Sequence, residues 1–554
     1  MKRIPTALVL LLVAGCAAKP SSGQSVQRIP AYDINPVRRA DLQRGGTLRW
    51  PLPDFPVQWN VHQVNGAKGE VEDVIRGLMP YAMRTDERAV PHPDRDYVLS
   101  ATARRAGAGQ VVAYTINPKA TWSDGTPITW KDFAAQATAL SGRDHRYLIA
   151  SSTGYSEISH VRRGRDDRQA LVSFARPYAD WPGLFGPLYP ASTDARPAAF
   201  NDGWQNRMPV TAGPFRLGGI DQTTKTITLV RNPRWWGPPA MLDSIVYRVM
   251  DLSTMPGAFA NGEIDLFDIG GDAGAYAQAR QVKGAVVRRA GGPDWRQITL
   301  NAGGPILSDP LVRQAVGLGI DRSAIARSDL MGLNWPLLTL GNHFFVNTQT
   351  GYQDDAGPAA YNPVRAGRLL DQAGWRLASG RRTKAGKVLT LRTVVPAGAP
   401  TARQEAELVQ AMLRQIGVQT TIQSVPDDDL FDKYVIPGDF DLVPFSWLGT
   451  PYPVSSNRSV FASVQGGRIQ QNYARAGSAR IDTLMDEALR SLDPATARRL
   501  TNEADRLVWQ QGAVLPLFQR PQLVAVTGRL ANFGASGFYQ LAYEDIGFTR
   551  GTGR

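Results

Sequence analysis

The sequence predicts a mixed α/β fold with more than one lobe, because strand-like and helix-like patterns alternate along its 554 residues. Residues 226–230 have strand character, since Ile227 and Leu229 alternate with threonines. Residues 408–416 and 481–492 instead repeat their apolar side chains at helical spacing. The length allows two or three domains, and the absence of a repeat of fixed period argues against solenoids and propellers.

Capping residues mark where several of these elements begin and end. Ser308 is predicted to be an N-cap, with Pro310 in the first turn of the helix that follows. Gly417 ends a helix and is followed by strand-like alternation over residues 418–422. Asp493, which precedes a proline, is predicted to end one helix and begin the next.

The N-terminus carries an export signal. A basic start is followed by an apolar run over residues 4–12 that is too short to span a bilayer comfortably. Residues 13–16 (VAGC) resemble a bacterial lipobox, which implies a signal peptide over residues 1–15 and a lipid on Cys16. An ordinary signal peptide is the alternative. Residues 16–44 are rich in proline and small polar residues, which predicts a flexible tether that holds the protein at the extracytoplasmic face of the cell membrane.

The composition indicates a soluble globular protein, and the sequence offers little for catalysis. The chain is 43% apolar and 20% charged, and its net charge of +13 comes from scattered arginines, which argues against nucleic-acid binding. A single cysteine allows no internal disulfide, and the five histidines lack the spacing of a metal site. No serine-nucleophile elbow or phosphate-binding loop is present. We therefore expect no cofactor, no metal and no catalytic residue.

One ordered set of short motifs extends over almost the whole chain. The set resembles the extracellular solute-binding proteins of the oligopeptide and dipeptide class (family 5), which serve ATP-binding-cassette (ABC) importers. In the first motif, a tight turn is followed by Thr129, which is predicted to cap a helix. The motifs are residues 122–127 (WSDGTP), 213–215 (GPF), 230–233 (VRNP), 235–237 (WWG), 261–266 (NGEIDL), 312–315 (VRQA) and 515–517 (LPL).

The resemblance implies a periplasmic-binding-protein-like fold of two lobes around a cleft, with hinge crossings near Ala290 and Leu515. A monomer would close on a small-molecule or peptide ligand and deliver it to a membrane permease with separate ATPase subunits. The implied divisions are residues 45–56, 161–290 and 515–554 for lobe 1, residues 57–160 for an accessory subdomain of lobe 1, and residues 291–514 for lobe 2.

Positional similarity to peptide-binding relatives suggests the ligand contacts. Trp447 follows a strand-like run and matches a tryptophan that contacts ligand in relatives, although a tryptophan packed in the core is an open alternative. The other candidates lie in two loops and after a Thr-Gly pair. For the loop that contains Gln63, an ordinary polar surface loop is the alternative. They are Gln63, Val64 and Asn65 of one loop, Thr450 and Tyr452 of the other, and Tyr155.

Thr450 departs from the pattern of the family. Dipeptide and oligopeptide binders carry there an aspartate that pairs with the α-ammonium group of the peptide, and a threonine hydroxyl cannot supply that charge-assisted contact. The surrounding loop is similar to a branch of the family in high-GC Gram-positive bacteria. That branch includes peptide-importer lipoproteins and a mycobacterial lipoprotein linked to phosphatidylinositol mannoside and lipoarabinomannan synthesis. Two hypotheses follow: a solute-binding lipoprotein of an importer, and a non-transport regulator that senses an envelope glycolipid.

Overall fold

The computed structural model describes residues 28–551. The predicted signal peptide, Cys16 and the first part of the predicted tether lie outside the described residues. No helix within the described range is long and apolar enough to cross a bilayer.

Residues 29–44 pack against the folded body, so the prediction of a flexible tether over residues 16–44 is wrong for this part. The backbone N–H of Asp33 donates to the carbonyl of Ala535 at 2.7 Å. The apolar side chains of the segment are too far apart in sequence to show a period, but three of them are buried against the body. Those buried are Ile29, Ile34 and Leu42.

Lobe 1 is built on a four-stranded sheet in which the first two strands are parallel and the others antiparallel. The predicted strand at residues 226–230 is confirmed, and its Ile227 and Leu229 are fully buried on the core face. The strands, in spatial order, are Thr47–Leu52, Ser244–Val249, Thr226–Arg231 and Phe215–Asp221. Two helices and a small three-stranded sheet complete the lobe: Met255–Ala260 and Ala273–Gln281, with Leu42–Gln43, Gly547–Thr549 and Leu530–Ala531.

The accessory subdomain contains a second four-stranded antiparallel sheet, and it is larger than predicted. The predicted boundary at residue 160 is wrong because it falls inside a strand whose neighbour, residues 169–174, pairs with the central strand of the same sheet. The chain leaves the subdomain beside its entry point, where the N–H of Trp59 donates to the carbonyl of Trp204 at 3.1 Å. The strands, in spatial order, are Val98–Ala106, Gly109–Ile116, Gln169–Phe174 and Ile158–Arg163.

Short helices surround this sheet. The predicted cap at Thr129 is confirmed, since its side chain accepts from the N–H of Lys131 and Asp132 bonds back to its N–H. The helices are Gly69–Ile75, Trp130–Ala139, Ala191–Asp194 and Pro197–Asp202, and a hairpin of Met83–Thr85 and Pro91–Pro93 lies beside them.

Lobe 2 surrounds most of a mixed six-stranded sheet. The edge strand and the adjoining ends of the next two strands lie on the lobe 1 side, where Leu266, Ala290 and Val526 join the lobe 1 core. The strands of the sheet, in spatial order, are Leu266–Asp268, Val514–Thr527, Ala285–Leu300, Leu442–Trp447, Thr390–Pro396 and Gln419–Val425. The helices of lobe 2 are Pro310–Gly319, Arg322–Asp329, Pro363–Gln372, Pro400–Gln415, Pro453–Phe461, Ala479–Leu489 and Pro494–Gln511. A small sheet of Arg376–Ala378, Arg381–Lys384 and Lys387–Val388 lies at its surface.

Most predicted helix ends in lobe 2 are confirmed. Gly417 follows a helix with φ of 82°, a left-handed conformation that favours glycine, and Asp493 caps the last helix. The N-cap predicted at Ser308 is wrong by one residue. The cap is Asp309, whose carboxylate accepts from the N–H of Leu311 at 2.9 Å. A carboxylate one residue closer to the helix takes the capping bond.

Two long antiparallel strands, Ala285–Leu300 and Val514–Thr527, run through both lobes and form the hinge. Their pairing is interrupted between Gly291 and Trp295, opposite residues 519–521. The first crossing is therefore next to the predicted position at Ala290. The second lies nearer residues 519–521 than Leu515, because Leu515 is fully buried in the lobe 2 core.

Candidate functional site

A cavity of about 660 Å³ lies between the two lobes. Lobe 1 supplies most of its wall through the helix Gly69–Ile75, the end of the first strand and residues 533–543 near the C-terminus. Beyond the hinge residue Pro293, lobe 2 reaches it through residues 449–452, which follow a central strand of the large sheet. A concave space of this size between hinged lobes is typical of a small-ligand site.

The lobes contact each other at one side of this cavity, so the structure is a closed form. The carboxylate of Asp180 in the accessory subdomain accepts from the N–H of Ser455 at 3.0 Å, in the first turn of the helix Pro453–Phe461. Next to it, the N–H of Ala179 donates to the carbonyl of Leu489 at 2.6 Å. Burial raises the pKa of Asp180, and its hydrogen bonds to Ser455 oppose that shift.

Tyr452 lines the cavity, and the backbone of lobe 1 approaches its ring closely. Gly183 faces its ring so closely that a Cβ at this glycine would lie 2.7 Å from Cε2 of the tyrosine. Burial raises the pKa of the Tyr452 hydroxyl. A side chain at this position would have to displace the ring of Tyr452 for the lobes to close in this way.

The charged side chains on the cavity are mainly acidic. Four carboxylates line it, against one guanidinium, that of Arg76. Glu72 accepts a hydrogen bond from the hydroxyl of Tyr81 at 2.8 Å and lies 3.5 Å from a nitrogen of Arg76. The four carboxylates belong to Glu70, Glu72, Asp73 and Asp268.

The side chain of Asp73, like that of Glu70, has no hydrogen-bond or ion-pair partner within residues 28–551. Its backbone carbonyl accepts from the hydroxyls of Tyr247 and Tyr543, at 2.9 and 2.7 Å, so its position in the wall is fixed. Burial raises the pKa of Asp73 to about 7; the charge of Arg76 opposes this shift and neighbouring carboxylates add to it.

Trp447 does not line the cavity. Its ring stacks on that of Tyr473, with centroids 5.7 Å apart and planes at 4°, and it also packs against Phe445 at 5.4 Å. Its indole N–H is buried without a partner in the described part of the chain. The structure thus places this tryptophan in the packed wall behind residues 449–452.

Thr450 shapes the loop that carries Tyr452. Its hydroxyl accepts from the N–H of Tyr452 and donates to the hydroxyl of Ser456, both at 3.1 Å. Its carbonyl accepts from the side-chain amide of Gln349 at 3.0 Å. The hydroxyl is therefore engaged within the protein, and Thr450 positions its neighbour rather than facing the cavity.

The remaining predicted contacts lie in the accessory subdomain, away from the cavity lining. Gln63 is buried and its side chain accepts from the N–H of Asn65, whereas Val64 is 54% exposed. Tyr155 is buried, and its hydroxyl accepts from the N–H of Phe185 at 2.8 Å. Burial raises the pKa of Tyr155 to about 12. The structure therefore brings only Tyr452 of the seven predicted site residues to the cavity.

The acidic helix Gly69–Ile75 and residues 533–543 were missed by the sequence analysis. The helix contains Glu70, Glu72 and Asp73 within four consecutive positions, which is an acidic cluster in an otherwise basic chain. That cluster is the only sequence signal, and a solvated surface helix gives the same pattern.

Two hinged lobes that close over a cavity define the class of bilobed solute-binding proteins. The family model for bacterial extracellular solute-binding proteins, family 5 middle, matches residues 102–468. The chain is 42% identical over 557 residues to the oligopeptide-binding protein OppA of Mycobacterium tuberculosis, covering 98% of this chain and 93% of that protein. The chain therefore belongs to the family 5 solute-binding proteins, and the family resemblance is confirmed.

Two further similarities are informative. The chain is 26% identical over 469 residues to the probable monoacyl phosphatidylinositol tetramannoside-binding protein LpqW of M. tuberculosis, covering 77% of this chain and 71% of that protein. The structure matches that of the periplasmic EDTA-binding protein EppA with a TM-score of 0.83 and 25% identity, covering 95% of this chain and 100% of EppA. The predicted periplasmic-binding-protein-like fold is therefore confirmed.

Proposed function

We propose that this protein captures a short peptide in the cavity between its lobes and delivers it, in the closed form, to the permease of an ABC importer. The observation that carries the proposal is the cavity of about 660 Å³ at the meeting of two hinged lobes. The permease would use separate ATPase subunits. We propose further that the protein acts as a monomer. It binds without chemistry, in keeping with relatives that are named as binding proteins.

The peptide class rests on the relative with the higher identity. OppA is named an oligopeptide-binding protein, and it is similar to this chain over almost its full length. Closure over the peptide contributes to affinity only as far as the closed state binds it better than the open state. The contact between Asp180 and Ser455 favours that closed state directly.

Binding is tested by thermal unfolding of the purified mature protein with a pool of random pentapeptides. A ligand that binds only the folded protein stabilises it by about 2.7 kcal/mol at a hundred times its Kd. We expect the pool to raise the melting temperature, and mass spectrometry of the retained peptides to identify the ligands. An unchanged melting temperature at millimolar peptide would contradict peptide capture.

The location at the membrane rests on Cys16, which the lipobox-like residues 13–16 mark for lipidation. We propose that the lipid holds the protein at the extracytoplasmic face of the cell membrane. Cys16→Ala should release the protein from the membrane fraction or leave it unprocessed, whereas Ser21→Ala, in the same segment, should not. Equal membrane retention of a processed Cys16→Ala protein and the control would show that another feature anchors the chain.

The alternative is a regulator of envelope glycolipid synthesis that uses the same fold without transport. It is supported by the similarity to LpqW, which is named a probable binding protein for a mannosylated phosphatidylinositol and is 26% identical. Stabilisation by a tetramannoside headgroup, with no response to the peptide pool, would favour this function.

A further inference from the structure

The cavity has the opposite charge to the chain as a whole. The protein carries a net charge of +13, but the cavity lining has four carboxylates and one guanidinium. Beyond the hinge, the loop of lobe 2 contributes Gly449, Pro451 and Tyr452 to this lining, and none of these side chains is charged. A ligand held between the lobes therefore meets negative charge on the lobe 1 side and a neutral wall on the other.

The four carboxylates differ in the hydrogen bonds and ion pairs that they already make within the protein. Glu72 is occupied by the hydroxyl of Tyr81 and by Arg76. One oxygen of Asp268 accepts from the N–H of Gly270 at 2.8 Å, which leaves its second oxygen free. Asp73 and Glu70 have no side-chain partner within the described residues, and Asp73 is the one whose backbone carbonyl is held by Tyr247 and Tyr543. A carboxylate that is partly desolvated and unpaired is unfavourable unless a positive group meets it.

We infer that the cavity selects peptides with a cationic group, an ammonium or a guanidinium, which docks on the carboxylate of Asp73 with Asp268 close by. This inference rests on the proposed capture of peptides and adds the charge of the ligand. Peptide-binding relatives carry at the position of Thr450 an aspartate that pairs with the ligand's ammonium group. In this protein the carboxylate that pairs with the cation would instead lie on the opposite wall of the cavity.

The surroundings of Asp73 favour a cation that the ligand brings. Of the charged groups that face it, only Arg76 is positive, and burial raises the pKa of Asp73 to about 7. An arriving cation restores the charged form and gains a charge-assisted hydrogen bond. Aromatic rings around the cavity offer further cation–π contacts. The titratable groups that face Asp73 are Glu70, Glu72 and Arg76 on its own helix, Asp268 on a strand of the large sheet, and the hydroxyls of Tyr247 and Tyr543.

The same charges disfavour a polyanion. A ligand with several carboxylates would approach Asp73, Asp268 and Glu70 against their repulsion. This separates the cavity from that of a protein that binds EDTA, although EppA has the same fold at a TM-score of 0.83. We therefore expect EDTA to give no stabilisation of this protein.

The test compares two pools of random pentapeptides, one with free amino termini and one N-acetylated, on the wild-type protein and on Asp73→Asn. The variant keeps the size of the side chain, and the raised pKa indicates that the fold tolerates a neutral group there. Glu263→Gln is the matched control, because it removes the same charge from an exposed residue of lobe 1 outside the cavity lining. The most enriched peptide is then resynthesised and its Kd is measured by calorimetry.

We expect the wild type to retain free-amine peptides, or acetylated peptides enriched in Lys and Arg. The first result assigns the cation to the terminus and the second to a side chain. Asp73→Asn should weaken binding of the best peptide about tenfold or more, and Glu263→Gln should leave it unchanged. Equal retention of both pools without basic enrichment, or an unchanged Kd for Asp73→Asn, would overturn the inference and leave peptide capture standing. No retention from either pool would overturn peptide capture and this inference together.

Discussion

Loss of the contact between Asp180 and Ser455 should open the protein. Asp180→Ala removes the acceptor of the Ser455 N–H, which lies at 3.0 Å, and leaves a partly buried N–H without a partner. A hydrogen bond to a charged group contributes about 1.5–3 kcal/mol, so the ratio of closed to open protein should fall by roughly 10- to 150-fold. The apparent Kd for peptide should rise by up to the same factor, since the open form binds less tightly.

Small-angle X-ray scattering of the ligand-free protein measures this opening, and calorimetry measures the Kd. Asp180→Asn is the matched control because its amide oxygen can still accept from Ser455 without the cost of burying a charge. We expect a larger radius of gyration for Asp180→Ala and a value near the wild type for Asp180→Asn. Scattering and Kd that are the same for all three proteins would refute the view that this contact holds the lobes closed.

Three other changes test further parts of the site. Gly183→Ala places a Cβ 2.7 Å from the ring of Tyr452, so scattering should show a more open protein and the Kd for peptide should rise several-fold. An unchanged Kd would mean that the ring moves aside freely. Burial raises the pKa of Asp73 to about 7, so its carboxylate becomes protonated as the pH falls below 7. Calorimetry between pH 8 and 6 should therefore show weaker binding of a cationic peptide at the lower pH, and an affinity that does not change with pH would contradict this role. Trp447→Ala removes the stacking on Tyr473 and should lower the free energy of unfolding, measured by urea denaturation, by about 3 kcal/mol. Lost peptide binding at unchanged stability would instead make Trp447 a ligand contact.

The parts of the fold that depend on neighbouring residues were predicted from the sequence. Thr129 caps its helix, Gly417 ends another and Asp493 begins the last, because each acts on backbone groups within a few positions. The packing of residues 29–44 was missed because Ile29 and its neighbours find their partners hundreds of residues away.

The site was predicted less well for the same physical reason. Tyr452 reaches the cavity, but Trp447 turns to Tyr473 instead, a partner that the sequence does not place beside it. Asp73 gains its importance only when distant segments, including Asp268 and the C-terminal residues, surround it and take away its water. No local pattern distinguishes such a carboxylate from one on a solvated helix.

A crystal structure of the protein with its captured pentapeptide tests the central claim most directly. The account predicts peptide density in the cavity between Asp73 and Tyr452, with a nitrogen of the ligand about 2.7–2.9 Å from the Asp73 carboxylate. An empty cavity, with the peptide bound elsewhere, for example beside Val64 and Asn65 on the accessory subdomain, would contradict it.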